Sequence, residues 1–140
     1  VVMALRPSER GVTLFEILLV LAILSLMVGA VSFSMGNMLP SLQLKQAAAT
    51  LEADLKRARM TSRRQAGGVE VIWRETGYAI ALLDVEQEWA KGITLIWSEE
   101  APLAFVDGVP STGGSVRLTY RGREITLRVE PFTGRVHLVP

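Results

Sequence analysis

The chain has no cysteine and a single histidine, His137. Without thiols there is no disulfide framework, no thiolate metal site and no cysteine nucleophile. One imidazole leaves a Ser-His-Asp arrangement a single base, and no nucleophile-elbow pattern accompanies it. His137 lies in an alternating apolar stretch and reads as a strand residue. Excess charge is missing too: 15 Lys plus Arg face 14 Asp plus Glu, so no global field points to nucleic acid. No alternating acids surround a glycine in the manner of a calcium loop. Gly113-Gly114-Ser115 lacks the lysine of a phosphate loop and reads as a flexible turn. Asp107-Gly108 also reads as a turn, and Trp73, Trp89 and Trp97 as core or edge anchors rather than a ligand cage. The residues predict no enzyme, no metal and no cofactor.

Charge is also scarce locally. Residues 12–39 carry one charged side chain, Glu16, whereas residues 40–140 carry 25 of the 29 charges. No charge occurs from Ile17 to Leu44, a run longer than the roughly 20 residues that cross a bilayer as a helix. The run is too long for a secretory signal core, and Gly29-Ala30 makes a poor cleavage site. A plain membrane anchor explains the length but not Glu16, because a carboxylate near a bilayer centre costs about 2.5–3.5 kcal/mol on insertion scales. Arg6 and Arg10 precede the run, which keeps residues 1–11 on the cytoplasmic side. Ser25, Gly29, Ser32 and Gly36 recur at spacings of three and four, a small-residue stripe of the kind that lets helices approach closely.

The string Arg10-Gly11-Val12-Thr13-Leu14-Phe15-Glu16 resembles the processing site of type IV prepilins and pseudopilins. In that family a short basic leader ends in Gly, and Glu is the fifth mature residue. Leu14 and Ile17 to Leu21 continue the family's apolar helix. The resemblance implies cleavage between Gly11 and Val12 by prepilin peptidase and N-methylation of Val12. One departure is Val12 itself, where the family usually has Phe. The resemblance also implies a role for Glu16, which neutralises the Val12 amine of a neighbouring subunit and so sets axial register. In low dielectric an unpaired charge is costly.

Beyond Pro40, expected to break or kink the helix, helical spacing resumes. Leu44, Ala47, Ala48, Leu51, Leu55 and Ala58 form one stripe, with Ser62 next on it. Glu52 and Lys56 form an i,i+4 pair. Arg57, Arg59, Arg63 and Arg64 read as a solvated helix end, and Gly67-Gly68 as its stop. Residues 12–66 are thus expected to form one kinked helix. Strands are expected at Val69–Trp73 and Tyr78–Leu83 around Thr76-Gly77, at Ile93–Trp97, at Val116–Tyr120 and Ile125–Val129 around Arg121–Glu124, and at Arg135–Val139. About 74 residues of strand make a marginal core alone. The helical stripe supplies the missing layer, which gives an α+β fold: a long N-terminal helix whose second half packs on antiparallel sheets, as in pilins.

The expected organisation is a leader at 1–11, a transmembrane or filament-core helix at 12–39, and a periplasmic globular domain at 40–140, with helix 41–66 and a β-rich part at 69–140. Ala104–Gly108, Ser111–Ser115 and Pro131–Val136 are similar to the tail of H-type minor pseudopilins of type II secretion, a pattern that minor pilins of type IV pili share. The resemblance implies a subunit anchored in the inner membrane, with prepilin peptidase, other pseudopilins in a homo- or hetero-filament, and a secreted cargo as partners. An alternative is a minor pilin of a type IV or DNA-uptake pilus. There Arg117, Arg121, Arg123 and Arg128, expected on one face of the last hairpin, contact DNA phosphates.

Overall fold

A computed structural model of the chain describes residues 12–139, with the side chains of 32–37 excepted. The leader, Gly11 included, lies outside the described residues. The chain divides into two compact units that meet between Asn37 and Met38. Helix α1 is assigned over Leu14–Arg64 and contains Pro40. The helix is unbroken at Pro40, in keeping with the expected single helix, and it ends two residues before the expected Ala66.

In the second unit every residue of the predicted stripe is buried, from Leu44 through Ala47, Ala48, Leu51, Leu55 and Ala58 to Ser62. The 3.6-residue period puts them all on one side of α1. Among the described residues the strands are β1 (Val69–Arg74), β2 (Gly77–Ile80), β3 (Val85–Glu88), β4 (Thr94–Trp97), β5 (Leu103–Val106), β6 (Val109–Pro110), β7 (Gly114–Tyr120), β8 (Arg123–Val129) and β9 (Val136–Val139). They form two antiparallel sheets, ordered β3-β2-β1-β5-β6 and β4-β7-β8-β9. Val69, Val71, Tyr78, Ile80, Leu103 and Phe105 of the first sheet join Val116, Leu118, Leu127 and Val129 of the second and the helical stripe in one apolar cluster. This is the expected α+β, pilin-like architecture.

Several strand limits differ from the sequence reading. Strand β2 stops at Ile80, Ala81–Leu83 turn into a short 3₁₀ helix, and left-handed Asp84 (φ 53°) redirects the chain into β3. The first hairpin turns at Glu75-Thr76, since Arg74 pairs with Gly77. The last turns at Arg121-Gly122 alone, both with positive φ, and Tyr120 pairs with Arg123. Positive φ at both central residues matches the right-handed twist of the flanking strands. Gly114-Ser115 is not a flexible turn but the start of β7. The Trp97 ring occupies the space where a Cβ on Gly114 would stand.

Tyr78 is fully buried, and its O–H donates to Asp54 Oδ2 at 2.6 Å. Burial, and then the bond to Asp54, push its pKa far above that of an exposed tyrosine. The folded state thus holds a proton that the unfolded chain releases near pH 10. Tyr78's contribution to stability is complete below about pH 10 and is lost as pH rises beyond it. In urea melts of the detergent-solubilised chain between pH 7 and 11, Tyr78→Phe is expected to flatten the alkaline fall. An unchanged slope would remove Tyr78 as its source.

Candidate assembly site

The N-terminal site is built on the first turn of α1. Thr13 caps it: the Glu16 N–H donates to Thr13 O at 3.0 Å and to Thr13 Oγ1 at 3.3 Å. Thr13-Leu14-Phe15-Glu16 therefore has the spacing of a capping box, and an acid there also suits the positive end of the helix dipole. Val12 lies just ahead, 66% exposed, and the Glu16 side chain is exposed. The motif accordingly places Val12 and the Glu16 carboxylate about a single turn apart.

Behind this turn the helix is apolar on all sides. Leu14–Val31 has a mean hydropathy of 2.7, and none of that window is buried. It is long and apolar enough to cross a membrane. Such a surface needs lipid or other helices around it, because water penalises it by about 25 cal/mol per Å². The one hydroxyl in this window, on Ser25, donates to Leu21 O at 2.8 Å, so it needs no outside acceptor. Nothing in the described chain lies within 4 Å of a Cβ built on Gly29, so that part of the small-residue stripe is open to a neighbouring helix. The Ser32 side chain and Gly36 fall outside the described side chains.

In the globular unit the helix-end arginines do more than solvate a terminus. Arg59 Nε donates to Gly108 O at 3.2 Å, and Ser62 Oγ accepts the Gly108 N–H at 2.9 Å. The Arg63 side chain crosses Gly108 where a Cβ would stand. Asp107 and Gly108, both left-handed, form the turn between β5 and β6, so α1 clasps that turn through both its donor and its acceptor. Ser62 is the polar member of the buried stripe, and the Gly108 N–H explains it: a buried amide without a partner costs about 1–3 kcal/mol.

The four arginines of the last hairpin do not share a face. Arg117 pairs with Thr126 and Arg128 with Ser115, and both are exposed on the side opposite buried Val116, Leu118 and Leu127. Arg123 has the alternation of Ile125 and Leu127, so it projects to the other side. Arg121 is in the turn, 5.4 Å from the Tyr120 ring centroid. Arg117 Nε also lies 3.9 Å from Glu124 Oε2. His137 is exposed on β9, 3.8 Å from Glu130 Oε1.

A family model described as the prokaryotic N-terminal methylation motif matches residues 6–32. The fold is similar to the crystal structure of the type IV minor pilin FimU of Pseudomonas aeruginosa, at 19% identity and a TM-score of 0.58, over 71% of this chain and 90% of that one. A search of curated protein sequences found no match. The chain thus joins an N-terminal methylation motif to a pilin-like fold. The methylation motif leads into the exposed apolar helix, and α1 continues into the stripe beneath two antiparallel sheets.

Proposed function

We propose that the chain is a minor pseudopilin of a type II secretion machine. Prepilin peptidase cuts between Gly11 and Val12, the Val12 amine is methylated, and the apolar helix holds the subunit in the bacterial inner membrane. Residues 40–140 then face the periplasm. In the pseudopilus Glu16 pairs with the Val12 amine of a neighbour, and other pseudopilins are its partners in exporting folded cargo. The observation that carries this reading is the lone carboxylate of Glu16 in the first turn of an exposed apolar helix. A charge in that setting demands a partner, and a cleaved neighbour offers an amine at the same depth. The tail residues Ala104–Gly108 and Pro131–Val136 favour the H-type within this class.

The likeness to FimU favours a second reading, a minor pilin of a type IV or DNA-uptake pilus. Arg117 and Arg128 on the outer face of β7 and β8 are then the first residues to meet DNA phosphates.

Mass spectrometry of the membrane-extracted protein tests the shared part. The N-terminal peptide is expected to begin at Val12 and to carry one added methyl group; retention of residues 1–11 would refute it. Co-purification with pseudopilins and no retention on DNA supports the secretion reading. DNA binding whose log affinity falls with log salt, with a slope of about −0.9 per phosphate contacted, supports the pilus reading.

A further inference from the structure

The end of α1 carries more charge than its dipole calls for. The stripe from Leu44 to Ser62 is buried against the sheets, so the opposite side of the helix is open. On that side Lys56, Arg57, Met60 and Arg64 are all exposed, at the spacings of three and four that share a helix face. Cations favour the last turn of a helix, which accounts for Arg63 and Arg64. It does not account for Arg57, about two turns before Arg64. Nor does it account for Met60, 58% exposed between them.

Two open hollows flank Met60. One, of about 460 Å³, is lined by α1 alone and includes Arg57 and Arg64. The other, of about 530 Å³, lies between α1 and the chain around β9, and Arg59, Arg135 and Val136 line it. Lys56 and Met60 line both, so the two hollows form one surface with Met60 as its ridge. Five cations share it, and one lining carboxylate, Glu130, offsets them. The chain as a whole is balanced, 15 basic to 14 acidic side chains, so this concentration is local. Internal partners use little of it. Lys56 Nζ meets Glu52 Oε1 at 2.6 Å, and Arg59 donates only Nε to Gly108 O. Glu130 accepts from Thr133 Oγ1 and lies 3.8 Å from His137. Among the described residues, Arg57, Arg64 and Arg135 have no carboxylate within 4.0 Å.

We propose that this basic surface, with Met60 at its centre, docks an acidic patch on a different subunit of the same assembly. An apolar side chain of that subunit packs on Met60 and Val136, between carboxylates that meet Arg57, Arg64 and Arg135. The proposal rests on the filament-subunit reading and names a partner-facing surface within it. Charge complementarity sets the occupant: guanidinium groups without internal partners call for carboxylates, whose geometry their planar forks match. Met60 sets its class. Protein interfaces are enriched in arginine and methionine and place an apolar centre inside a polar rim. Nucleic-acid strands are tracked by continuous positive charge, which Met60, Val136 and Glu130 interrupt here. Rim charges of this kind steer encounter and suppress wrong partners, which selects one subunit among related chains.

The chain has no cysteine, so one introduced thiol carries a photoreactive benzophenone to a single place. Ala53, exposed and lining the first hollow with Met60, is replaced by Cys in the full chain. The protein is purified in detergent, labelled, and irradiated with each of the other purified pilin-like subunits of its assembly. One of them is expected to cross-link at least about fivefold more than to a copy labelled through Leu82→Cys, a position that lines neither hollow. The cross-linked peptide is expected to carry two or more Asp or Glu beside an apolar residue. Adding Met60→Ala, or Arg57→Glu with Arg135→Glu, is expected to reduce the yield at least about fivefold at an unchanged melting temperature. Higher salt is expected to lower the parent's yield as well. Lysines in place of the mapped carboxylates are expected to restore the yield with the Arg57→Glu, Arg135→Glu copy, a result that misfolding cannot produce. Cross-linking to no subunit above the Leu82 control overturns the proposal. So does a partner segment without acids, or an equal yield with unlabelled copies of this chain. Retention on duplex DNA or on phosphatidylglycerol vesicles that the same variants abolish assigns the surface to phosphate and likewise overturns it. Cleavage after Gly11 and Glu16-dependent incorporation, scored in cells, report separately on the filament reading. If both hold while no subunit cross-links, this surface alone is refuted.

Discussion

Replacing Glu16 by Ala is expected to leave cleavage after Gly11 intact and to remove nearly all of the subunit from the assembled filament. The reasoning is electrostatic. In the proposed filament Val12 is a free amine inside a bundle of apolar helices, and a charge pair worth little in water is worth a great deal in that low dielectric. Removing one partner of a buried pair strands the other, at about 3–5 kcal/mol. Each 1.4 kcal/mol is tenfold in an equilibrium constant, so incorporation falls by roughly a hundredfold or more. Comparing the sheared-filament and membrane fractions by immunoblot measures this, and the mobility of the processed band reports cleavage. Normal incorporation of Glu16→Ala would sink the pairing.

The capping geometry supplies the control. Glu16 is also the third helical residue after the Thr13 cap, so its loss weakens the helix start as well as the charge pair. Thr13→Ala removes only the cap, for about 1 kcal/mol, and should lower incorporation no more than about fivefold. Glu16→Gln retains an amide that can still reach the cap but carries no charge, and it is expected to fail like Glu16→Ala. If Thr13→Ala proves as damaging as Glu16→Ala, Glu16 acts on the helix end rather than on a neighbour.

The second large effect is on stability. Leu55→Ala is expected to lower the melting temperature of the globular unit by roughly 8–40 °C. Leu55 is fully buried in the middle of the stripe beneath both sheets. Truncating such a leucine costs about 2–5 kcal/mol, because the transfer free energy is lost and a cavity remains. In a domain of this size each kcal/mol moves the melting temperature by about 4–8 °C. Met60, 58% exposed on the same helix, is the comparison: Met60→Ala is expected within about 0.5 kcal/mol of the parent. Thermal melts of the detergent-solubilised chain followed by circular dichroism decide it. Equal shifts for the two variants would mean that the stripe does not hold the sheets.

Both effects rest on residues that periodicity identifies, and the reason is physical. A helix must put every third or fourth residue on one side, so Leu44 to Ser62 could be assigned to a buried face from spacing alone. The local rule also covers the apolar run to Val31, the alternation in β7 and β8, and Asp107-Gly108 as a turn. The N-terminal motif is likewise local, a contiguous string from Gly11 to Glu16 whose chemistry depends on order and not on folding. From these features alone follow the pilin-like class, the helix-on-sheet layering and the position of Glu16.

Other features depend on groups far apart in the chain. Asp84 turns left-handed and breaks the predicted strand after Ile80, so β3 forms from Val85–Glu88, whose two glutamates and one glutamine carry no strand signal. Arg59 looks like part of a solvated helix end until Gly108, 49 residues further on, comes to rest on it. Gly114 looks flexible until the Trp97 ring fills its Cβ space. The last hairpin's arginines seem to form one patch, but the two-residue turn sets the register that sends Arg123 to the opposite side from Arg117 and Arg128. Strand side chains alternate with period two, so a one-residue difference in turn placement reverses a face. The absence of cysteine removed thiol chemistry at the outset. The basic surface around Met60 came into view only when the chain after β8 brought Arg135 to the hollow lined by Lys56 and Arg59, since no local pattern encodes a contact between distant segments.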